Sequence, residues 1–345
     1  MSSIDHLPFM LHGVDASLMV EQRFPLSGVL GHRRRAAEAD ARRFRAESER
    51  VSQDIQLDAA GAFLMLRERR EMARVLDAQV ALARQFVAAA SARYSSGTGN
   101  QPEVLRAEIE VARFEGAIRT IRAEVASAEA MLNASLGRPA DAVVPPLEAT
   151  PVTAEPPAWA LVRDTTLHRR PELEVARAEI SRSQAEISEM NSMYWPMAMI
   201  RTGPAYTMTD SWGWMLTIGV SIPLQRGRLN AGVREAEAMA EMARADLAAM
   251  TRMAEGEAAT ARNQVLAARQ RVLAIRDDVL PRARQAIEPS VAAYAAGTMP
   301  LVSVIDTAQA LWSLEAELVS AEFELGLAWA RLERAQGQFE TGARR

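Results

Sequence analysis

Between residues 30 and 93 no proline or paired turn signal interrupts the chain, and apolar positions return at helical spacing. Ile55, Ala59, Ala62 and Phe63, Leu66, Val75, Leu76, Leu82 and Phe86 mark the stripe. The pattern predicts one very long helix, roughly 95 Å at a rise of ~1.5 Å per residue, where an average globular helix has about a dozen residues. Tyr94-Ser95-Ser96-Gly97-Thr98-Gly99 ends it. A second helix is expected from about Pro102 to Leu136, closed by Gly137 with Pro139 just beyond. The pattern then repeats: a helix from about Leu229 to Tyr294, a break over 295–300, and a helix from Leu301 to about Phe339.

A different period governs residues 212–224. Trp212, Trp214, Leu216, Ile218, Val220 and Ile222 alternate with Gly213, Met215, Thr217, Gly219 and Ser221, which predicts a strand with one apolar and one small or polar face. Residues 196–208 are its expected partner, joined through Thr209-Asp210-Ser211. Near the N-terminus Ala16, Leu18, Val20 and Phe24 alternate with Ser17, Met19, Glu21 and Arg23 in the same way.

These elements are duplicated. Tyr94, Gly97 and Thr98 recur 200 residues later as Tyr294, Gly297 and Thr298, and Val104-Leu105 recurs as Val304-Ile305. Leu132 and Gly137 recur as Leu332 and Gly337, while Phe24-Pro25-Leu26 matches Ile222-Pro223-Leu224 at an offset of 198. Self-similarity of this kind means one architecture built twice. The organisation expected is a first repeat over 1–137, with a partial strand pair at 1–26 and a long helical hairpin at 30–137. A Pro-rich linker or equatorial segment follows at 138–170. The second repeat, 171–345, contains a helix at 171–193, a β-hairpin at 196–224 and a long helical hairpin at 229–339. Pro139, Pro145, Pro146, Pro151, Pro156 and Pro157 bar regular helix or central strand from the start of the linker. Arg170-Pro171-Glu172 restarts a helix with proline in its first turn.

Composition narrows the chemistry. The chain is 49% apolar but only 5% aromatic, and it is crowded with Ala, Glu and Arg, as expected of long helices packed side by side. A net charge of −4 gives no global attraction to nucleic acid. The absence of cysteine excludes disulfides, thiolate metal sites and cysteine nucleophiles. The four histidines, His6, His12, His32 and His168, have no ligand spacing. No phosphate loop, nucleophile elbow or His-Glu helix motif is present, so no enzymatic activity and no cofactor are expected. No stretch approaches the ~20 apolar residues of a spanning helix, so contact with a bilayer core would have to be made by strands.

A strand with an apolar face, tryptophans at one end and a small polar opposite face suits a transmembrane β-barrel. Four strands or fewer cannot close one alone, so several copies are expected to share it. The ordered set of Phe24-Pro25-Leu26 with Gly28, Leu136-Gly137-Arg138-Pro139, Arg170-Pro171-Glu172-Leu173, Ile222-Pro223-Leu224 with Gly227, and Tyr294-Ala295-Ala296-Gly297-Thr298 followed by Val302, Val304, Asp306 and Leu311 resembles the TolC-like outer-membrane efflux channels. That family implies a mainly α fold with a small β part. Long helical hairpins would form an α-barrel tunnel, and a homotrimer would close a twelve-stranded barrel in outer-membrane lipid. It also implies docking on a periplasmic adaptor protein and an inner-membrane RND-type pump, in the outer membrane and periplasm of a Gram-negative bacterium.

By the same resemblance, Gly97, Thr98 and Gly99 with Gly297, Thr298 and Met299 match the adaptor-docking hairpin tips. Glu103, Tyr294, Ser303 and Asp306 match the periplasmic aperture. The family can carry an acid six positions after each tip glycine; here Gly97 leads to Glu103 but Gly297 leads to Ser303. The basic partner of the aperture tyrosine would fall at Met299. The plain alternative for Glu103 and Asp306 is a solvated helix face, and for Tyr294 a packing residue at a helix end. Trp212 and Trp214 would sit at the membrane interface. Seventeen methionines, with Met197 and Met199 on the face assigned to the lumen beside Arg201, suit Cu(I) or Ag(I) cargo and a CusC-like branch, or else ordinary core filling. The rivals are a soluble periplasmic coiled coil, which would show a sustained heptad and no two-faced strands, and an adaptor protein, which would carry one hairpin rather than two. No secretory signal is visible in Met1 to Met10, and offset 198 maps Met1 onto Met199, so the first repeat is expected to be shortened at its N-terminus.

Overall fold

The computed structural model describes residues 16–147, 154–207 and 211–339. In chain order the elements are β1 (Ala16–Ser17), β2 (Val20–Pro25), α1 (Val29–Ser95), α2 (Gln101–Ser135), α3 (Trp159–Arg169), α4 (Pro171–Ser192), β3 (Met197–Thr207), β4 (Ser211–Ser221), α5 (Arg226–Leu273), α6 (Leu280–Ala295) and α7 (Leu301–Ala335). A π-helical turn, Ala274–Val279, joins α5 to α6. The chain packs as two compact units, Met1–Glu47 with Glu172–Met250 and Ser48–Pro171 with Thr251–Arg345. Each unit draws on both sequence repeats.

The first unit holds the sheet. β3 pairs antiparallel with β4 along its whole length and with β1 and β2 along its other edge, in the register Glu21↔Arg201↔Thr217 and Phe24↔Ala198↔Val220. Between β1 and β2 the Leu18 N–H still donates to the Pro204 carbonyl (3.1 Å), but Pro204 has no N–H to return, and the lack of a side chain at Gly203 lets the Leu18 carbonyl approach closely. Beside the sheet, α1 and α4 are joined by Arg33–Glu189 (2.7 Å) and by a looser set linking Asp40, Arg43, Glu179 and Arg182. Alanines fill the buried helix faces, among them Ala39, Ala178, Ala240 and Ala243. Side chains this small let helices approach closely. The segment 1–15, where the partner strand of the first repeat is expected, lies outside the described residues, as do Met208, Thr209 and Asp210.

The second unit carries two helical hairpins, and here the duplication is explicit. Both tips turn through a left-handed glycine, Gly97 at φ 76° and Gly297 at φ 78°, and both hairpins end on another, Gly137 at 66° and Gly337 at 68°. In each tip the threonine N–H and hydroxyl return to the carbonyl five residues back, Thr98 to Arg93 and Thr298 to Ala293. An arm-to-arm ion pair is duplicated too: Arg84–Glu115 at 2.8 Å and Arg284–Glu315 at 3.3 Å. One apolar cluster, including Phe86, Tyr294, Ile305 and Trp312, lies next to the tips; another joins Val265, Val272, Leu325 and Leu332 to Val162 of α3.

Two expectations need correction. Residues 138–170 are not a linker throughout, because α3 occupies Trp159–Arg169 and buries Val162 and Thr166 completely. The preceding residues are held rather than loose. Asn133 donates to the Ala140 and Ala142 carbonyls (3.2 and 2.7 Å), and Arg70 donates to those of Val144 and Pro145 (2.9 and 2.7 Å). The helix expected to run unbroken from 229 to 294 is interrupted by the π turn, where the Leu280 N–H reaches back to the Ile275 carbonyl. Pro281 accounts for this: its ring conflicts with the carbonyl four residues back, and widening the turn relieves the clash.

Candidate functional site

The tips of the two hairpins meet through one polar cluster. α2 starts at Asn100, whose side-chain oxygen accepts from the Glu103 N–H (3.1 Å), with Pro102 in the first turn, where a missing N–H costs nothing. This fixes Glu103 on the first turn of α2. The Tyr294 hydroxyl donates to Glu103 Oε2 at 3.0 Å. Arg93, the last basic residue of α1, donates to the Tyr294 carbonyl (2.7 Å) and to the Thr98 carbonyl (3.2 Å), and its guanidinium lies 4.7 Å from the centre of the Tyr294 ring. Farther along the hairpins, Gln309 donates to Glu110 at 3.3 Å and Gln79 to the Trp312 carbonyl at 3.4 Å.

Tyr294 is 1% exposed, enclosed by Phe86, Ala90, Ala107 and Leu301. Burial, reinforced by the negative Glu103 carboxylate that accepts its hydrogen bond, pushes its hydroxyl up to about 12. It therefore remains a neutral donor throughout the physiological range. The arrangement has no nucleophile and no acid–base pair with an open face; what it can do is hold two helix ends together.

Of the residues that resemblance assigned to the aperture, Glu103 and Tyr294 are brought together, while Asp306 is exposed on α7 and Ser303 is half-buried. Gly97, Thr98, Gly99, Gly297 and Thr298 form the exposed turns for the most part, whereas Met299 packs against the apolar cluster. Arg93 was missed. Its only sequence signal is its place directly before the first copy of the repeated tyrosine, where the second copy has Ala293. Trp212 and Trp214 stand on the sheet, 73% and 72% exposed, with the Tyr206 ring tilted at 58° beside Trp212 and the Trp214 indole N–H donating to Thr202. Leu216, Ile218, Val220, Val20 and Phe24 continue the same uncovered face. On the opposite face, Met197 and Met199 align with Ser221 and Gly219, next to the Glu21–Arg201 ion pair. Among the described residues there is no group of three or more His, Cys, Asp or Glu able to hold a metal ion, and no helix long and apolar enough to cross a membrane.

A duplicated hairpin of this length together with a sheet whose apolar face is bare is a rare combination, and residues 12–138 and 162–338 match the outer membrane efflux protein family. The chain belongs to that family. Within it, similarity extends to the cobalt-zinc-cadmium resistance protein CzcC of Cupriavidus metallidurans, 25% identical over 292 residues that cover 83% of this chain and 68% of CzcC. The fold is that of the solved channels of the family. The CusC structure superposes with a TM-score of 0.81 at 16% identity, covering 94% of this chain and 78% of that one. VceC of Vibrio cholerae gives 0.78 at 18% identity, covering 94% and 80%. The fold class is TolC-like.

Proposed function

We propose that this chain is the channel subunit of a tripartite efflux system, conducting passively what an inner-membrane pump of the RND type delivers through a periplasmic adaptor. Three copies would close the sheets into one barrel in the outer membrane and the hairpins into a tunnel across the periplasm. The observation that carries the reading is the sheet: a soluble domain would cover Trp212, Trp214, Leu216, Ile218 and Val220, and here that face is bare while its reverse is small and polar. Tryptophans at the end of β4 suit the headgroup level of a bilayer. The hairpin tips at Gly97–Gly99 and Gly297–Met299 would meet the adaptor, and Glu103, Tyr294, Ser303 and Asp306 would line the narrow periplasmic end.

For the cargo we favour transition-metal cations. The relative named for cobalt, zinc and cadmium resistance, the fit to CusC, and the thioethers of Met197 and Met199 on the polar face of the sheet support that reading. An acidic narrow end would favour cations electrostatically. Reversal potentials across a planar bilayer test both parts. Channels carrying Glu103→Gln with Asp306→Asn should lose part of their cation preference, and an unchanged preference removes these residues from the aperture. Deletion of the gene in its native host should lower metal tolerance more than drug tolerance, and the opposite result refutes the metal cargo.

A further inference from the structure

Four segments gather where the sheet ends. Past its last paired row, Pro25–Met197–Ser221, the chain leaves β2 through Leu26, enters β3 from Trp195 and leaves β4 through Ile222 and Leu224. The Leu26 N–H donates to the Pro196 carbonyl (3.3 Å), and the Tyr194 hydroxyl donates to Asn230 near the start of α5. Arg33, near the start of α1, pairs with Glu189 at the end of α4 (2.7 Å). Leu26, Leu30, Trp195, Ile222 and Leu224 are each more than half exposed, so the apolar surface continues past the end of the sheet. Charge around them has one sign. Residues 26–35 and 222–232 hold Arg33, Arg34, Arg35, Arg226 and Arg228 and no acid. Neither α1 nor α5 has an acid in its first turn, whereas α2 has Glu103 and α4 has Glu172 and Glu174, the choice that a helix dipole favours. Only part of the positive charge is neutralised, Arg33 by Glu189 and Arg34 by Glu38 at 3.5 Å on the surface. Arg35 donates to the Gly31 carbonyl and to His32, and among the described residues no carboxylate pairs with Arg35, Arg226 or Arg228.

We propose that this end of the sheet is a collar for anionic glycerophospholipid, in which Arg35, Arg226 and Arg228 take the phosphate while Leu26, Trp195 and Leu224 lie against the upper acyl chains. This rests on the outer-membrane reading above. The dimensions agree. Trp212 to Ile222 is ten residue steps, ~34 Å along a strand, and at the ~40° tilt of barrel strands it rises ~26 Å, close to the ~25 Å apolar band that aromatic girdles flank. With Trp212 and Trp214 at one surface, Trp195 and the arginines fall at the headgroup level of the other. A guanidinium fork matches two phosphate oxygens, and its apolar stem can lie on the hydrophobic surface while its head reaches the phosphate. The occupant is a lipid because the charge adjoins the bare apolar face without a break. It is an anionic lipid because a zwitterionic headgroup brings its own cation, which leaves the excess positive charge unmet.

Native mass spectrometry of the delipidated full chain in neutral detergent, titrated with phosphatidylglycerol or phosphatidylcholine of the same acyl chains, tests this. Phosphatidylglycerol should bind at least about tenfold more tightly, and less tightly as salt rises. Arg228→Gln should weaken its binding about fivefold, and Arg35→Gln with Arg226→Gln and Arg228→Gln about a hundredfold. Thermal unfolding of that triple variant without lipid should stay in place or move up, because the lost charges opposed the helix dipoles. Arg252→Gln, ~36 Å farther along α5, should change neither quantity. Equal binding of the two lipids, parental affinity in the triple variant, or an equal loss in Arg252→Gln overturns the collar. A triple variant that is less stable without lipid assigns the arginines to the fold and overturns it too, as does displacement of the lipid by inorganic phosphate at matching concentration, which marks a site for the free anion. A chain that stays soluble without detergent and binds neither lipid overturns the outer-membrane reading itself.

Discussion

Glu103→Gln isolates the electrostatic part of the tip cluster, since an amide of the same shape can still accept from the Tyr294 hydroxyl. In the native protein the Tyr294 hydroxyl is held up to about 12 by burial first and by its bond to the charged carboxylate second. An ordinary tyrosine titrates near ~10. Because the folded value is raised, the corresponding stability is fully present below about pH 10 and is lost as pH rises through about 12. A shift of this size corresponds to at most ~2–3 kcal/mol, and solvent screening lowers it, because the hydroxyl end of the otherwise buried side chain meets the half-exposed Glu103. The chain has four tyrosines, so replacing Tyr94, Tyr194 and Tyr206 by phenylalanine leaves Tyr294 as the sole reporter. Its ultraviolet tyrosinate absorbance should rise about two pH units later than that of free tyrosine. Adding Glu103→Gln should bring the transition down while leaving it above the ordinary value, because burial persists. A transition near ~10 in the parent, or one unmoved by Glu103→Gln, would refute the cluster.

Three further outcomes can be measured by thermal or denaturant unfolding of the detergent-solubilised protein. Gly337→Ala should destabilise far more than Gly97→Ala: both have positive φ, but a side chain at 337 would lie 2.5 Å from the Arg169 carbonyl, whereas nothing lies within 4 Å at 97. Strain alone costs about 1 kcal/mol, so equal losses would contradict the close approach. Asn133→Ala removes both hydrogen bonds that hold residues 140 and 142 and should cost about 2–3 kcal/mol, with faster proteolysis at 138–147; unchanged cleavage would mean that this segment is held by other contacts. Leu66→Ala, at a fully buried site packed by Ala128 and Leu132, should cost about 2–5 kcal/mol, and a loss under about 1 kcal/mol would place Leu66 outside a packed core.

Long helices were legible in the sequence because local periodicity and the absence of breakers act over neighbouring residues: α1 is expected over 30–93 and found over Val29–Ser95. The strands were legible for the same reason, since period-two alternation is a property of the segment itself. α3 was not, because eleven residues after two prolines carry little periodic signal and the helix is defined by what Val162 packs against. The π turn was hidden in a helical composition, although Pro281 was there to be weighed. At the tips, the sequence pointed to Glu103 and Tyr294 but passed over Arg93, whose partners are a ring and two carbonyls that come together only in three dimensions.

By itself, then, the sequence determined the duplicated plan, the element types and the positions of the turning glycines, because spacing, alternation and positive φ are local demands on residue type. Tertiary structure alone decided which member of each repeated pair would be buried. Tyr94 and Tyr294 are the same residue in the same local turn, and no local rule distinguishes them. One is covered because a hairpin of its own chain lies against it, whereas among the described residues no second hairpin covers the other, which is 51% exposed.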